Sequence, residues 1–214
     1  MADLFLETQI IKNENTHLIA GLDEAGRGAL AGPVTAAAVI LPLQDEDRLA
    51  GLAEVNDSKQ LTAEKRARFY ELILEHALCW GVYATPAKVI DEIGILPATR
   101  LAMRESLKQL KPAADYLLID GRVRLATIAT RQQSIVRGDG ISLSIAAASI
   151  IAKVTRDRMM VEYAKSYPAF KFEGHKGYGT QFHRDKIAQV GPCDIHRYTF
   201  EPIKSQVSNQ LIDG

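Results

Sequence analysis

The residues best suited to chemistry in this chain are acids that follow short apolar runs. Four carboxylates share this position: Asp23, Glu24, Asp120 and Asp139. Carboxylates that crowd one place repel one another unless a cation or a proton lies between them. An all-carboxylate group with no His and Cys cluster beside it favours a hard cation, Mg²⁺ or Mn²⁺, over zinc. A lone Asp-Glu pair is more often the solvated end of a strand, so the metal hypothesis depends on the other acids.

Apolar runs of strand length position these acids. The run Leu18–Leu22 leads into the first pair, and Tyr116–Asp120 ends in an acid of its own. A third strand is predicted over Thr127–Val136. Ligands gather at the carboxyl ends of strands in open α/β sheets, so we expect the acids to meet there. Adjacent strand residues point to opposite faces; we therefore expect the first strand to end at Asp23 and Glu24, or Glu24 to offer its backbone carbonyl.

Glycines follow the first pair of acids. Gly26, Gly28 and Gly32 lie within ten residues of Glu24, and Arg27 separates the first two. Glycine lets a ligand approach the backbone closely. The spacing does not match the nucleotide-binding G-x-G-x-x-G fingerprint, which would have to open a helix. Acids beside an exposed backbone therefore predict a metal site that handles a bulky anionic substrate.

The rest of the chain alternates between strand and helix patterns. Two further strands are predicted, Val34–Leu41 and Cys79–Ala84. Helices are predicted over 62–78, 86–92, 97–110, 144–167 and 181–190, and from Pro202 onward. The helix over 144–167 begins apolar all round, so it should be buried. Along this helix Ser149, Lys153 and Asp157 are spaced four residues apart, so they lie on one face. Two interpretations of this face are equally open: it is solvated, or it lies near the site.

Length and composition fit one domain of 214 residues with a full core. No apolar run in the sequence approaches the roughly 18 residues of a membrane span, and the polar first residues do not match a secretory signal. Cys79 and Cys193 form no CxxC motif, which fits a reducing compartment. We expect a cytoplasmic monomer.

Net charge is zero, but its distribution along the chain is uneven. Residues 1–57 carry ten acids and three bases, whereas residues 58–214 carry 23 bases and 16 acids. A basic remainder around an acidic segment is compatible with a phosphate backbone lying across the molecule. Ordinary mixed solvation explains the same pattern equally well.

Several short motifs occur together, and their order is DEAGRG, DSKQL, LIDG, RGD, AAASIIAKVTRD, HKGYGT and HR-x-x-F. In this order and spacing, over about Ala20–Phe200, they resemble bacterial ribonuclease HII. The resemblance implies an α/β, ribonuclease-H-like fold in which helices flank a central mixed sheet and a C-terminal helical segment follows. It divides the chain into a catalytic domain, 1–167, and a helical substrate-binding segment, 168–214.

The resemblance also implies an activity. Enzymes of this family cleave the RNA strand of RNA–DNA hybrids, and cut 5′ of single ribonucleotides embedded in duplex DNA. Two Mg²⁺ or Mn²⁺ ions about 4 Å apart would activate a water and stabilise the leaving 3′-oxygen, leaving 3′-hydroxyl and 5′-phosphate ends. Two alternatives stay open: a related carboxylate nuclease that is indifferent to the 2′-hydroxyl, and a non-catalytic nucleic-acid-binding module.

Family roles can be carried over position by position. The metal-binding acids fall on Asp23, Glu24, Asp120 and Asp139. The reader of the ribose 2′-hydroxyl falls on Gly26, Arg27 and Gly28, the stacking tyrosine falls on Tyr178, and Lys59 resembles a phosphate contact. The chain departs from the family pattern at Ala29, where proline is common, at Arg137, where lysine is usual, and at Tyr198-Thr199, where Arg-Ser is usual. No departure removes a carboxylate or a glycine of the motifs.

Overall fold

The computed structural model of the chain describes residues 2–52, 55 and 62–210. Its strands are β1 (Ile19–Ala25), β2 (Val34–Ile40), β3 (Cys79–Thr85), β4 (Tyr116–Asp120) and β5 (Arg131–Ile135). Its helices are α1 (Phe5–Glu14), α2 (Glu46–Ala50), α3 (Ala63–His76), α4 (Ala87–Ile93), α5 (Ile95–Leu107), α6 (Leu143–Ser166), α7 (Phe172–His175), α8 (Gln181–Val190) and α9 (Ile203–Gln210). Within these described residues no helix is long and apolar enough to cross a membrane.

One mixed sheet forms the centre of the fold, with the strand order β3-β2-β1-β4-β5. Strands β1, β2 and β3 pair antiparallel, whereas β1 pairs with β4, and β4 with β5, in parallel. Leu22 of β1 lies opposite Ile119 of β4. The residues that follow them, Asp23 and Asp120, are therefore brought to the same end of the sheet. The predicted mixed sheet flanked by helices is confirmed.

Helices cover both faces of the sheet. Helix α6 packs directly on β1 at Gly21, where an added Cβ would lie 2.1 Å from the carbonyl carbon of Ser144. A larger residue at Gly21 would therefore push α6 away from the sheet. On the other face, Met103 of α5 belongs to the same buried cluster as Leu22 of β1. Most of the first half of α6 is buried, as its apolar pattern predicts.

The N-terminus of α6 is held by its own cap and by helix α1. The Ser142 hydroxyl accepts a hydrogen bond from the Ile145 N–H at 3.2 Å. Glu7 of α1, which is fully buried, accepts hydrogen bonds from the Ser142 hydroxyl and the Ser144 N–H at 2.6 and 3.0 Å. A carboxylate is stabilised at a helix N-terminus because the unpaired N–H groups and the helix dipole favour negative charge.

The C-terminal segment packs back on the first part of the chain. Phe170, Phe172 and Ile187 share a buried cluster with Leu30 and Met160. The backbone of the same segment is tied to the loop after β1, because the Gly32 N–H donates to the Ile195 carbonyl oxygen at 2.8 Å. The division of the chain at residue 167 stays a prediction.

The structure differs from the sequence-based expectations in several elements. Strand β1 does not end at Asp23 and Glu24: it continues to Ala25, because Glu24 pairs with Ala36 and Ala25 with Thr35 of β2. Strand β5 begins at Arg131 and is shorter than predicted, because Ile128 closes a turn in which its N–H donates to the Leu125 carbonyl oxygen at 3.0 Å. Three helices, α1, α2 and α7, were not predicted.

Candidate active site

Three of the predicted acids line one cavity of about 420 Å³ at the end of β1 and β4. Asp23 is almost fully buried, Glu24 follows it on β1, and Asp120 ends β4. The strand register therefore places carboxylates from two neighbouring strands in one space. Glu24 reaches the cavity even though the strand continues past it, and it pairs with Arg27 at 3.0 Å.

The fourth predicted acid lies on the adjoining turn. Asp139 is in a short 3₁₀ turn, Gly138–Gly140, and only 2% of it is exposed. Asp120 fixes this turn, because its Oδ1 accepts a hydrogen bond from the Gly138 N–H at 2.7 Å. The turn that carries Asp139 is therefore hydrogen-bonded to Asp120.

The electrostatics of the cavity favour a proton or a cation. Burial, and then the nearby charges of Glu24 and Asp120, raise the pKa of Asp23 well above its ordinary value of 3.8. Hydrogen bonds from the Ser149 hydroxyl and from the Glu24 N–H oppose this rise. A carboxyl group that is held at a raised pKa by its neighbours regains its negative charge when a cation binds beside it.

Helix α6 supplies the wall of the cavity opposite the strand ends. Ser149 and Lys153 both line the cavity, one helical turn apart. The Lys153 ammonium donates to Asp157 Oδ1 at 2.7 Å and lies 5.5 Å from the centre of the Tyr178 ring. The structure therefore places Ser149 and Lys153 beside the acids and not on a solvated face, which favours the second of the two interpretations of this helix face.

The glycine loop, Gly26–Pro33, forms the rim beside the acids. Gly26 has a φ of +90°, and an added Cβ there would lie 1.9 Å from Nε of Arg156. Gly28 has no such constraint: an added Cβ meets nothing within 4 Å, and its φ is outside the left-handed region. Gly26 is therefore required by the protein, whereas the space over Gly28 is open.

Tyr178 lies at the mouth of the cavity in a second segment, the tyrosine loop, Lys176–Thr180. The residue is 36% exposed, lines the cavity, and has the Arg156 guanidinium 5.2 Å from its ring centre. Its backbone is held from below by His183, whose Nδ1 lies 3.0 Å from the Tyr178 carbonyl oxygen. The ring is presented at the surface and is not packed beneath the loop.

Two buried histidines stiffen the tyrosine loop. The Cys193 N–H donates to Nδ1 of His196 at 2.9 Å, so Nε2 of His196 carries the proton and donates to Nε2 of His183 at 3.0 Å. His183 must then carry its own proton on Nδ1, facing the Tyr178 carbonyl. Burial lowers the pKa of each histidine to about 4, so both are neutral near pH 7.

Sequence reasoning missed residues that the fold brings to the cavity. Arg66 of α3 lines it, although nothing in the spacing of α3 marks that position. Arg156 and Arg197 lie fully buried beneath the glycine loop, where a sequence pattern would place arginine at the surface. Lys59, the predicted phosphate contact, lies outside the described residues.

The described residues contain no group of three or more His, Cys, Asp or Glu side chains placed so that they could hold a metal ion together. A cation at this cavity would therefore have few protein ligands and would keep part of its water. Mg²⁺ commonly binds one or two carboxylates, several waters and the phosphates of its substrate. The donors at this cavity are all oxygen, which suits such a cation.

A family model described as ribonuclease HII matches residues 20–203. The chain belongs to the ribonuclease HII family. A ribonuclease HII of Chloroflexus aurantiacus is 53% identical over 95% of this chain and 95% of its own length. That of Geotalea daltonii is 52% identical over 89% of this chain and 86% of its own length. Membership of the ribonuclease HII family makes the chain a hydrolytic endonuclease of the ribonuclease H type.

Solved structures carry the same fold. Ribonuclease H2 of Pyrococcus horikoshii matches with a TM-score of 0.75 at 24% identity, over 92% of this chain and 99% of its own. Ribonuclease HII of Archaeoglobus fulgidus, solved in a complex with PCNA, matches with a TM-score of 0.71 at 26% identity, over 86% and 95%. Bst-RNase HIII, solved with Mn²⁺, matches with a TM-score of 0.67 at 19% identity, over 91% and 70%. The ribonuclease-H-like fold predicted from the motifs is therefore confirmed.

Proposed function

We propose that this chain cleaves the RNA strand of RNA–DNA hybrids and cuts 5′ of single ribonucleotides in duplex DNA, leaving 3′-hydroxyl and 5′-phosphate ends. One observation carries the proposal: the cavity that holds Asp23, Glu24 and Asp120 is rimmed by Gly26, Arg27 and Gly28. Acids that suit a metal and a backbone that suits a ribose share one space. A single nucleotide can therefore meet both.

Two metal ions would be held at the four acids Asp23, Glu24, Asp120 and Asp139, each ion by one or two of these carboxylates together with water and substrate phosphate. The oxygen-only donor set and the raised pKa of Asp23 support Mg²⁺ or Mn²⁺ at this place. The Mn²⁺ complex of Bst-RNase HIII, a protein of the same fold, supports the proposal as well. When bound, two such ions supply an activated water and charge stabilisation of the leaving 3′-oxygen.

The side chains of this protein would bind and align the nucleic acid. Arg27 is 45% exposed and can reach a phosphate when its ion pair with Glu24 opens. Lys153 adds a second positive charge to the cavity. The exposed ring of Tyr178 offers a flat surface on which a sugar or base can stack. Together they would fix the strand while its phosphate lies over the acids.

The ribose would be told from deoxyribose by backbone groups. A 2′-hydroxyl both donates and accepts hydrogen bonds, which backbone N–H and C=O groups can satisfy. The open space over Gly28 leaves room for a sugar to approach the main chain. A nuclease of the same fold that ignores the 2′-hydroxyl would have no need of this approach.

The test is cleavage of three duplexes of one sequence: all DNA, DNA with one embedded ribonucleotide, and an RNA–DNA hybrid. Each is incubated with and without Mg²⁺ or Mn²⁺, and the product ends are mapped. We expect metal-dependent cutting of the hybrid, cutting 5′ of the single ribonucleotide, and no cutting of all-DNA duplex. Equal cutting of the all-DNA duplex would favour the nuclease that ignores the 2′-hydroxyl and would overturn the proposal.

A further inference from the structure

Arg197 lies beneath the glycine loop and holds its backbone from the inside. Its side chain is fully buried. Its guanidinium donates to the carbonyl oxygens of Gly26 at 2.7 Å, of Arg27 at 2.9 Å, and of Gly32 at 3.0 and 3.1 Å. One side chain therefore joins the beginning of the loop to a point near its end. The backbone N–H of Arg197 also donates to the Leu30 carbonyl oxygen, which lies between these points in the loop.

Arg156, on helix α6, holds the same loop from a second direction and ties it to the tyrosine loop. It is also fully buried. Its guanidinium donates to the carbonyl oxygens of Ala31 at 3.0 Å and Pro33 at 2.9 Å, and to that of Lys176 at 2.9 Å. Every hydrogen bond that either guanidinium makes within the described residues goes to a backbone carbonyl oxygen.

These contacts fix the direction of the peptide planes that face the cavity. In a trans peptide the C=O and the following N–H point to opposite sides. Because the carbonyl groups of Gly26 and Arg27 point inward to Arg197, the N–H groups of Arg27 and Gly28 must point away from Arg197. These are the two amides at the part of the loop that rims the cavity.

We propose that Arg156 and Arg197 are positioning residues that set the specificity for ribose, by holding the amides of Arg27 and Gly28 toward the 2′-hydroxyl of the substrate. The inference rests on the proposed function, in which the glycine loop reads that hydroxyl. Arg197 orients the two amides. Arg156 acts together with the backbone hydrogen bonds that Leu30 and Ala31 donate to the Gly177 carbonyl oxygen at 2.8 and 3.3 Å. It holds the glycine loop beside the tyrosine loop, so that reading of the sugar and stacking on Tyr178 occur on one nucleotide.

A purely space-filling role would not need arginine. Burying a guanidinium is costly unless its donors are satisfied, and apolar side chains of similar size often replace buried charges without loss of stability. An apolar side chain would fill the space but leave the peptide planes of the loop free to rotate. A lysine keeps the positive charge but loses the planar fork that binds several carbonyl groups at fixed angles.

The test measures preference for ribose, which a merely structural role would not change. The background is Asp120→Asn, which we expect to slow cutting at least about a hundredfold, while its amide oxygen can still accept from the Gly138 N–H. Dissociation constants are measured with Mg²⁺ for a duplex with one ribonucleotide and for the all-DNA duplex of the same sequence. With both arginines present we expect the ribonucleotide duplex to bind about tenfold more tightly, the effect of one good hydrogen bond.

Arg197→Lys and Arg156→Lys are each added to this background. We expect each to reduce the tenfold preference to about twofold or less in a protein that still melts cooperatively. The matched control is Arg158→Lys, because Arg158 lies on the same helix, is exposed, and pairs with Glu71 away from the loop. The control should keep the full preference.

The outcomes separate this inference from the function on which it rests. If the background protein shows no preference for ribose, the proposed reading of the 2′-hydroxyl is wrong. If the background shows the preference and both folded lysine variants keep it, or weaken binding of the two duplexes equally, the arginines are structural only and the inference is overturned. Should Arg197→Lys fail to fold, Arg156→Lys decides by the same comparison.

Discussion

Gly28→Ala separates a loop that needs glycine for its own shape from a loop that needs it for the substrate. An added Cβ at Gly28 meets nothing within 4 Å, and φ there is outside the left-handed region. The unfolded chain, however, loses conformational freedom when glycine becomes alanine. We therefore expect the variant to be as stable as the wild type or more stable by up to about 1 kcal/mol, which is a rise in Tm of about 0–4 °C for a chain of this length.

Cleavage should respond in the opposite way. The new methyl group occupies the space through which a sugar would approach the amide of Gly28. Loss of a hydrogen bond that leaves a buried partner unsatisfied costs about 1–3 kcal/mol, so we expect the cleavage rate at one embedded ribonucleotide to fall by about 5- to 150-fold. The assay is single-turnover cleavage of that duplex with Mg²⁺ or Mn²⁺, beside a thermal melt of the same sample.

Gly174→Ala is the matched control. Gly174 also has nothing within 4 Å of an added Cβ, has no left-handed φ, and lies in α7. We expect Gly174→Ala to be as stable as Gly28→Ala and to cleave the duplex as fast as the wild type does. Gly26→Ala cannot serve, because its φ of +90° and the nearby Arg156 predict a loss of stability of about 1–3 kcal/mol. Undiminished cleavage by folded Gly28→Ala would refute backbone reading of the sugar. A large fall in its Tm would refute the claim that the structure has room for a side chain at position 28.

Three further predictions follow from the site. The raised pKa of Asp23 means that the folded state binds its proton more tightly than the unfolded chain does. Without metal, the free energy of unfolding should therefore fall as pH rises above 3.8. Asp23→Asn should remove this pH dependence and raise Tm, and it should abolish cleavage. The lowered pKa of His183 and His196, about 4 for each, gives the opposite pH dependence. Their contribution to the free energy of unfolding is complete above pH 6.5 and should be lost as pH falls toward 4. Urea titrations across this pH range would detect the loss. Tyr178→Ala should weaken substrate binding by about 1–3 kcal/mol at nearly unchanged Tm, whereas Tyr178→Phe should be mild; a large fall in Tm with unchanged cleavage would mean that the ring is structural.

Much of the site could be predicted because its parts are local in sequence. Apolar strands that end in acids predict where Asp23 and Asp120 lie, and the parallel pairing of β1 with β4 places them together. The apolar start of α6 predicts its burial. The motifs around these residues then identify the family, which the comparisons confirm.

The rest depends on contacts between distant parts of the chain. Strand β1 continues past Glu24 because β2 offers a partner, which the β1 sequence alone does not reveal. Helix α1 forms although its pattern is weakly amphipathic, since Glu7 docks on the N-terminus of α6, more than 130 residues away. Arg156 and Arg197 can be buried because the glycine loop, and for Arg156 also the tyrosine loop, supplies carbonyl groups for their donors.

The central claim is that the charge of the acids at the ends of β1 and β4 is required for metal-dependent cutting at a ribonucleotide. Asp120→Asn tests it most directly, because the amide oxygen keeps the hydrogen bond from the Gly138 N–H while the negative charge is lost. The measurement is the rate of cleavage at one embedded ribonucleotide, for wild type and variant, across a titration of Mg²⁺ or Mn²⁺. We expect wild-type cleavage that depends on metal, and a folded variant that is slower by at least about a hundredfold at every metal concentration. Cleavage by the wild type without metal, or near-wild-type cleavage by Asp120→Asn, would contradict the account.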